Sequence, residues 1–141
     1  MRKYLGAIVI AASMVAGPLQ AGDLPELDRE SHIMRSLLSA AVSLGVSRSC
    51  PTMEIRQVYG LFKALELRNY ARRLGYSDEE INAFVNDPVE QKRMEEWAWA
   101  YMQEQGVKKN DPESHCSLGK YEIERGSLSG RLLRDLDRTT N

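Results

Sequence analysis

Along residues 31–136, apolar side chains recur at spacings of three and four. The runs are separated by Gly, Pro and two Asn-Asp pairs, and no stretch sustains a period-two alternation. A stripe with that period has to be buried against neighbouring helices, which restricts the chain to an all-α architecture. At 141 residues a single compact domain is the natural count.

The expected helices number five to six. Pro25 after Asp23 suits a first helix start, and Ile33, Leu37, Ala40, Ala41 and Leu44 form its stripe, widened by Met34 and Leu38. Gly45 and Ser47–Arg48–Ser49 are expected to end it. The second helix is expected to open at Pro51 or Thr52, with Cys50 just outside. It carries two apolar stripes pointing in different directions: Ile55, Val58, Phe62 and Leu65, then Leu67, Tyr70, Ala71 and Leu74. A helix whose apolar face rotates has different neighbours at its two ends, so this one is expected to be central, stopping at Gly75. Ser77 and Glu80 form a capping box for a short third helix, with Tyr76 placed to staple onto Ile81. Pro88 starts a fourth, whose stripe is Met94, Trp97, Ala98, Tyr101 and Met102 and which stops at Gly106. A fifth is expected over 112–125. After the Gly126–Ser127 interruption, a sixth carries Leu128, Leu132, Leu133 and Leu136.

The N-terminus reads as an export signal. Arg2 and Lys3 precede an uncharged apolar run over residues 5–16, then Pro18 and a small residue at Ala21. The run is shorter than the roughly 20 residues of a spanning helix, so a cleaved signal over 1–21 and a domain over 22–141 are expected, with no membrane span in the mature form. Removal of the signal takes two of the 19 basic residues and none of the 20 acidic ones, leaving a net charge of −3. Such a balance argues against nucleic acid as a partner.

Export sets the reading of the cysteines. Cys50 and Cys116 are the only two, 66 positions apart, and thiols outside the cytoplasm tend to be oxidised. A bridge closing that loop stabilises by about 4 kcal/mol in the chain-entropy model. Gly119, three residues after Cys116 on nearly the same helix face, suits the close crossing a bridge requires. Two chemical alternatives compete with the bridge. A nucleophilic Cys116 needs a base, and adjacent His115 points about 100° away on a helix. A zinc site needs about four ligands at recognisable spacing, and these residues stand singly. No metal or cofactor is expected.

Other candidates are weaker. Glu79–Glu80, Glu95–Glu96, Glu122 and Glu124 read as solvated helix faces. Gly126–Ser127–Leu128–Ser129–Gly130 has leucine where a nucleophile elbow has serine, and it follows a helix rather than a strand. Trp97 lies on its helix's apolar stripe and is expected in the core. Trp99 lies off that stripe, either covering a second helix, the favoured reading, or standing exposed as a partner contact.

The stretches "CPTM", "LGYSDEEINAFV" and "CSLGKYEIERGSLSGRLLR" together resemble a family of small exported alphaproteobacterial proteins of unknown function. Cys50, Cys116, Gly119, Gly126, Ser127 and Gly130 carry the resemblance over roughly residues 48–134. It implies an exported helical domain with paired cysteines and brings no activity, cofactor or catalytic residue.

The functional expectation is a non-catalytic periplasmic protein of a Gram-negative bacterium, an interaction or accessory subunit of a cell-envelope complex with a protein partner. The alternatives are a small periplasmic chaperone and an enzyme with an unrecognised site involving His115, Glu122 and Tyr121.

Overall fold

The computed structural model describes residues 24–139, so the expected signal over 1–21 lies outside the described residues. The described chain is all-α apart from one small ribbon. A 3-10 turn, Leu27–Arg29, leads into α1 (Ser31–Ser49); β1 (Met53–Ile55) follows, then α2 (Gln57–Leu74), α3 (Asp78–Asn86), α4 (Pro88–Glu104), α5 (Pro112–Glu124), α6 (Leu128–Leu132) and β2 (Leu133–Asp135).

The central helix is α1, not α2 as the sequence suggested. Ile33, Met34, Val42, Ser43 and Val46 of α1 are buried, and α4, α5 and α6 pack against it. Its small residues explain the choice. Gly45 was expected to end the helix, yet α1 continues through it: a Cβ there would lie 2.9 Å from Met102 Cε, so the glycine leaves room for the Met102 side chain of α4. Ser43 is fully buried, its hydroxyl between the carbonyl oxygens of Ser39 (2.8 Å) and Ser129 (2.9 Å), tying α1 to α6. Pro25 precedes the 3-10 turn rather than opening α1.

The ribbon is an element the sequence did not announce. β1 pairs antiparallel with β2, Met53 opposite Asp135, Glu54 opposite Arg134 and Ile55 opposite Leu133, with an Arg134–Glu54 ion pair at 2.6 Å across it. Ile55 and Leu133 therefore leave the helices to which their spacing assigned them. Three-residue strands are too short to display a two-residue period.

Two apolar clusters fill the interior. The larger gathers Val42, Val46, Cys50, Met53, Ala98, Met102, Val107, Leu118 and Leu133. The smaller gathers Leu27, Ile33, Ala71, Tyr76 and Ile81, with Leu37, Leu67, Tyr70 and Leu74 against it. The Ser77–Glu80 capping box forms, and Tyr76 and Ile81 meet in this cluster. Trp97 is not core: α4 faces α1 through Ala98 and Met102, which leaves Trp97 45% exposed with the Arg93 guanidinium over its ring.

Candidate functional site

Cys50 and Cys116 form a disulfide, with Cα atoms 5.0 Å apart. It joins the residue that caps α1 to the second turn of α5, beside the ribbon. Gly119 serves that crossing: a Cβ on it would lie 2.9 Å from Val46 Cγ1 and 3.1 Å from Met53.

A buried polar cluster ties α4, α5 and α6 together. Glu122 is fully buried. Its carboxylate accepts from the Tyr101 hydroxyl at 2.5 Å, from Arg125 Nε at 3.1 Å and from the Ser127 hydroxyl. Arg125 also donates to the Tyr101 oxygen at 3.1 Å, and Ser127 Oγ caps α6 by accepting from the Gly130 N–H at 2.9 Å. Burial first, and the Glu122 carboxylate second, push the Tyr101 phenol up to about 12. Every carboxylate oxygen here has a donor, which is what burial of such a group demands. The signal available in sequence was the i, i+3 spacing of Glu122 and Arg125; Tyr101 could be added only by the fold.

The three residues named for an unrecognised enzyme are not brought together. His115 and Glu122 share a face of α5 but stand seven residues, roughly 10 Å, apart along it. Tyr121 is 49% exposed under the Arg125 guanidinium. Among the described residues no group of three His, Cys, Asp or Glu side chains could hold a metal ion, and no helix is long and apolar enough to cross a membrane.

Trp99 is half-buried. It packs against the larger cluster, and its ring stacks near-parallel to His115, with centroids 6.5 Å apart and planes at 23°.

The outward apolar surface lies on α2. Val58, Leu61, Phe62 and Leu65 are 71%, 61%, 65% and 49% exposed. Their i, i+3, i+4, i+7 spacing is that of a buried stripe. The rotation of the α2 stripe noted in the sequence has this meaning: the second half, Leu67 to Leu74, faces the smaller cluster, while the first half faces outward. Ion pairs fix the arrangement, because Arg68 and Arg72 both grip Asp78 at the start of α3, at 2.9 and 2.7 Å. Between α2, α1 and α3 runs a largely apolar groove of about 560 Å³, lined by Leu37, Ala40, Leu44, Leu67, Phe84 and Val85 and shared with Leu65 of the outward stripe. Its polar margin holds Lys63, Arg68 and Arg131 against one carboxylate, Glu66.

These features define a class: a small disulfide-bridged helical domain with one helix half apolar on its outer side. The chain belongs to the Family of unknown function (DUF5333), whose model matches residues 25–134 and so takes in both cysteines. No curated protein and no solved structure matches it.

Proposed function

We propose that this chain is a non-catalytic exported protein, an interaction or accessory subunit of a cell-envelope complex, which docks an acidic amphipathic helix of a partner protein along α2. On this reading it works in the periplasm, the paired cysteines are a property of the family, and the family's members are small exported proteins of alphaproteobacteria.

The observation that carries the reading is the outward stripe Val58–Leu61–Phe62–Leu65. A helical partner binds such a stripe with its own apolar residues at the same spacing. The choice of an acidic partner rests on charge: Arg56, Lys63, Arg68, Arg72 and Arg73 lie on or beside α2, and their ion pairs with Glu66 and Asp78 still leave an excess of three positive charges. That balance also disfavours α2 pairing with a second copy of itself, since like charges would face each other. Trp99 is half-buried and belongs to the interior side of this design.

A photo-crosslinking residue at position 62, introduced in cells, tests the reading. The expected product joins the chain to one protein at stoichiometric yield, through a segment with apolar residues at spacings of three and four and flanking Asp or Glu. Crosslinks to a second copy, to anionic lipid, or to a broad set of unfolded clients would overturn it. The last outcome favours the periplasmic chaperone, for which the open apolar groove is the supporting feature.

A further inference from the structure

We propose that the groove between α1 and α2 is a binding slot for one free fatty acid, with the acyl tail laid along α1 and the carboxylate at the α6 end. The slot lies under the inner face of α2, opposite the stripe centred on Leu61 and Phe62, so the inference stands apart from the docking of a partner helix on that stripe. Its volume of about 560 Å³ falls within the range of small-ligand sites.

The walls come from two helices that pass each other without closing. α2 is anchored at both ends. At its start the Arg56 N–H donates to the Leu132 carbonyl oxygen at 2.8 Å, and near its far end Ala71 packs with Leu27, Ile33 and Ile81. Between these anchors it turns Gly60, Ala64 and Leu67, at spacings of four and three, toward Leu37, Ala40 and Leu44 of α1. Small side chains keep the gap open. A Cβ on Gly60 would meet only Leu132 Cδ2, at 3.7 Å, and Ala64 and Leu44 are exposed although they line the groove. Two apolar walls held apart at fixed ends leave surface that is costly to hydrate, and a slender apolar chain is the shape that covers both. From Ile33 to Leu44 the α1 wall rises about 16 Å, so the occupant is elongated rather than compact.

The two ends of the slot differ, and the difference orients the ligand. The end at the smaller cluster is floored by Leu27, Ile33, Ala71 and Ile81, all buried. The cation bordering that end, Arg68, is offset by Asp78 at 2.9 Å. At the α6 end stand Lys63 and Arg131, with Arg56 beside them donating to the Arg131 carbonyl oxygen at 3.2 Å. Glu66, 2.6 Å from Lys63, offsets one of these three cations, which leaves two positive charges. An apolar channel with a buried floor at one end and uncompensated positive charge at the other complements a single tail that carries one carboxylate.

The test is titration of the oxidised, purified full chain with sodium tetradecanoate below its micellar concentration, followed by calorimetry and NMR. Binding should saturate at one tetradecanoate per chain and shift the methyl signals of Leu37, Leu44 and Ala64. Hexanoate keeps the carboxylate but loses most of the buried tail, and should bind at least about a hundredfold more weakly. Tetradecyltrimethylammonium keeps the tail but reverses the charge, and should bind about tenfold more weakly. Ala64→Phe fills the slot from an exposed position; it should weaken tetradecanoate at least about tenfold without lowering the melting temperature. Arg131→Gln should weaken it about threefold. Phe62→Ser, on the outer face of α2, should leave tetradecanoate binding unchanged while it reduces partner docking, which separates the two readings. Absence of saturable binding would overturn the proposal. So would equal affinity for the cationic probe, more than one tetradecanoate per chain, binding of phosphatidylglycerol vesicles in place of the free acid, or a loss from Phe62→Ser as large as that from Ala64→Phe.

Discussion

The Tyr101 hydroxyl donates to the buried Glu122 carboxylate at 2.5 Å, across the seam between α4 and α5. The pair has a pH consequence. The phenol ordinarily titrates near 10 and is pushed up to about 12 in the folded chain. Between those values the folded state holds a proton that the unfolded state releases. The associated stability is complete below pH 10 and is lost as pH rises through 12. Alkaline titration followed by circular dichroism and tyrosinate absorbance should show helix loss in that window. Tyr101→Phe should remove this step and cost about 1–3 kcal/mol at neutral pH, because Glu122 stays buried with one donor fewer.

Gly130 and Gly119 should respond differently to alanine. A Cβ on Gly130 would overlap the backbone carbonyl of Glu122, and neither helix can move that group without parting α5 from α6. A Cβ on Gly119 meets side-chain rather than backbone atoms, Val46 Cγ1 at 2.9 Å and Met53 Cε and Cγ at 3.1 Å, so it displaces less than a Cβ on Gly130 does. In urea denaturation Gly130→Ala should lose about 3 kcal/mol or more and Gly119→Ala about 1 kcal/mol. Equal losses would show that the α5–α6 contact tolerates separation.

The disulfide closes a 66-residue separation and ties α1 to α5. The Cys50→Ala/Cys116→Ala double variant should lose up to about 4 kcal/mol and show a lower melting temperature. Thiol labelling of the native protein without reductant should find neither cysteine free, since both are in the bridge.

Phe62 and Ala71 lie on the same helix with opposite fates. Phe62 is 65% exposed and Ala71 is 3% exposed. Phe62→Ser should change stability by no more than about 0.5 kcal/mol and reduce partner binding at α2. Ala71→Leu should overpack the smaller cluster and cost about 1–3 kcal/mol. A large loss of stability from Phe62→Ser would mean that the stripe is covered within the folded chain.

What the sequence determined by itself was local. The 3.6-residue period of the apolar positions, Ser77 with Glu80, Pro88 and Pro112 at helix starts and Gly75 at a helix end each act over one or two turns, and each is where its pattern placed it. The cysteine pairing belonged with these, because two cysteines admit one intramolecular bridge. Only the tertiary structure decided which helix is central. Both α1 and α2 carry apolar stripes, and the choice fell to α1 because Ser43 bonds the α6 backbone and Gly45 leaves room for Met102 of α4, while the first stripe of α2 has no helix over it among the described residues. The same holds for the sites. Glu122 gained Tyr101 from 21 positions away, and His115 stacks with Trp99 from a separate helix. Periodicity reports that a side chain faces a neighbour; which neighbour is set by how closely whole helices can pack, and that depends on volumes distributed along the entire chain.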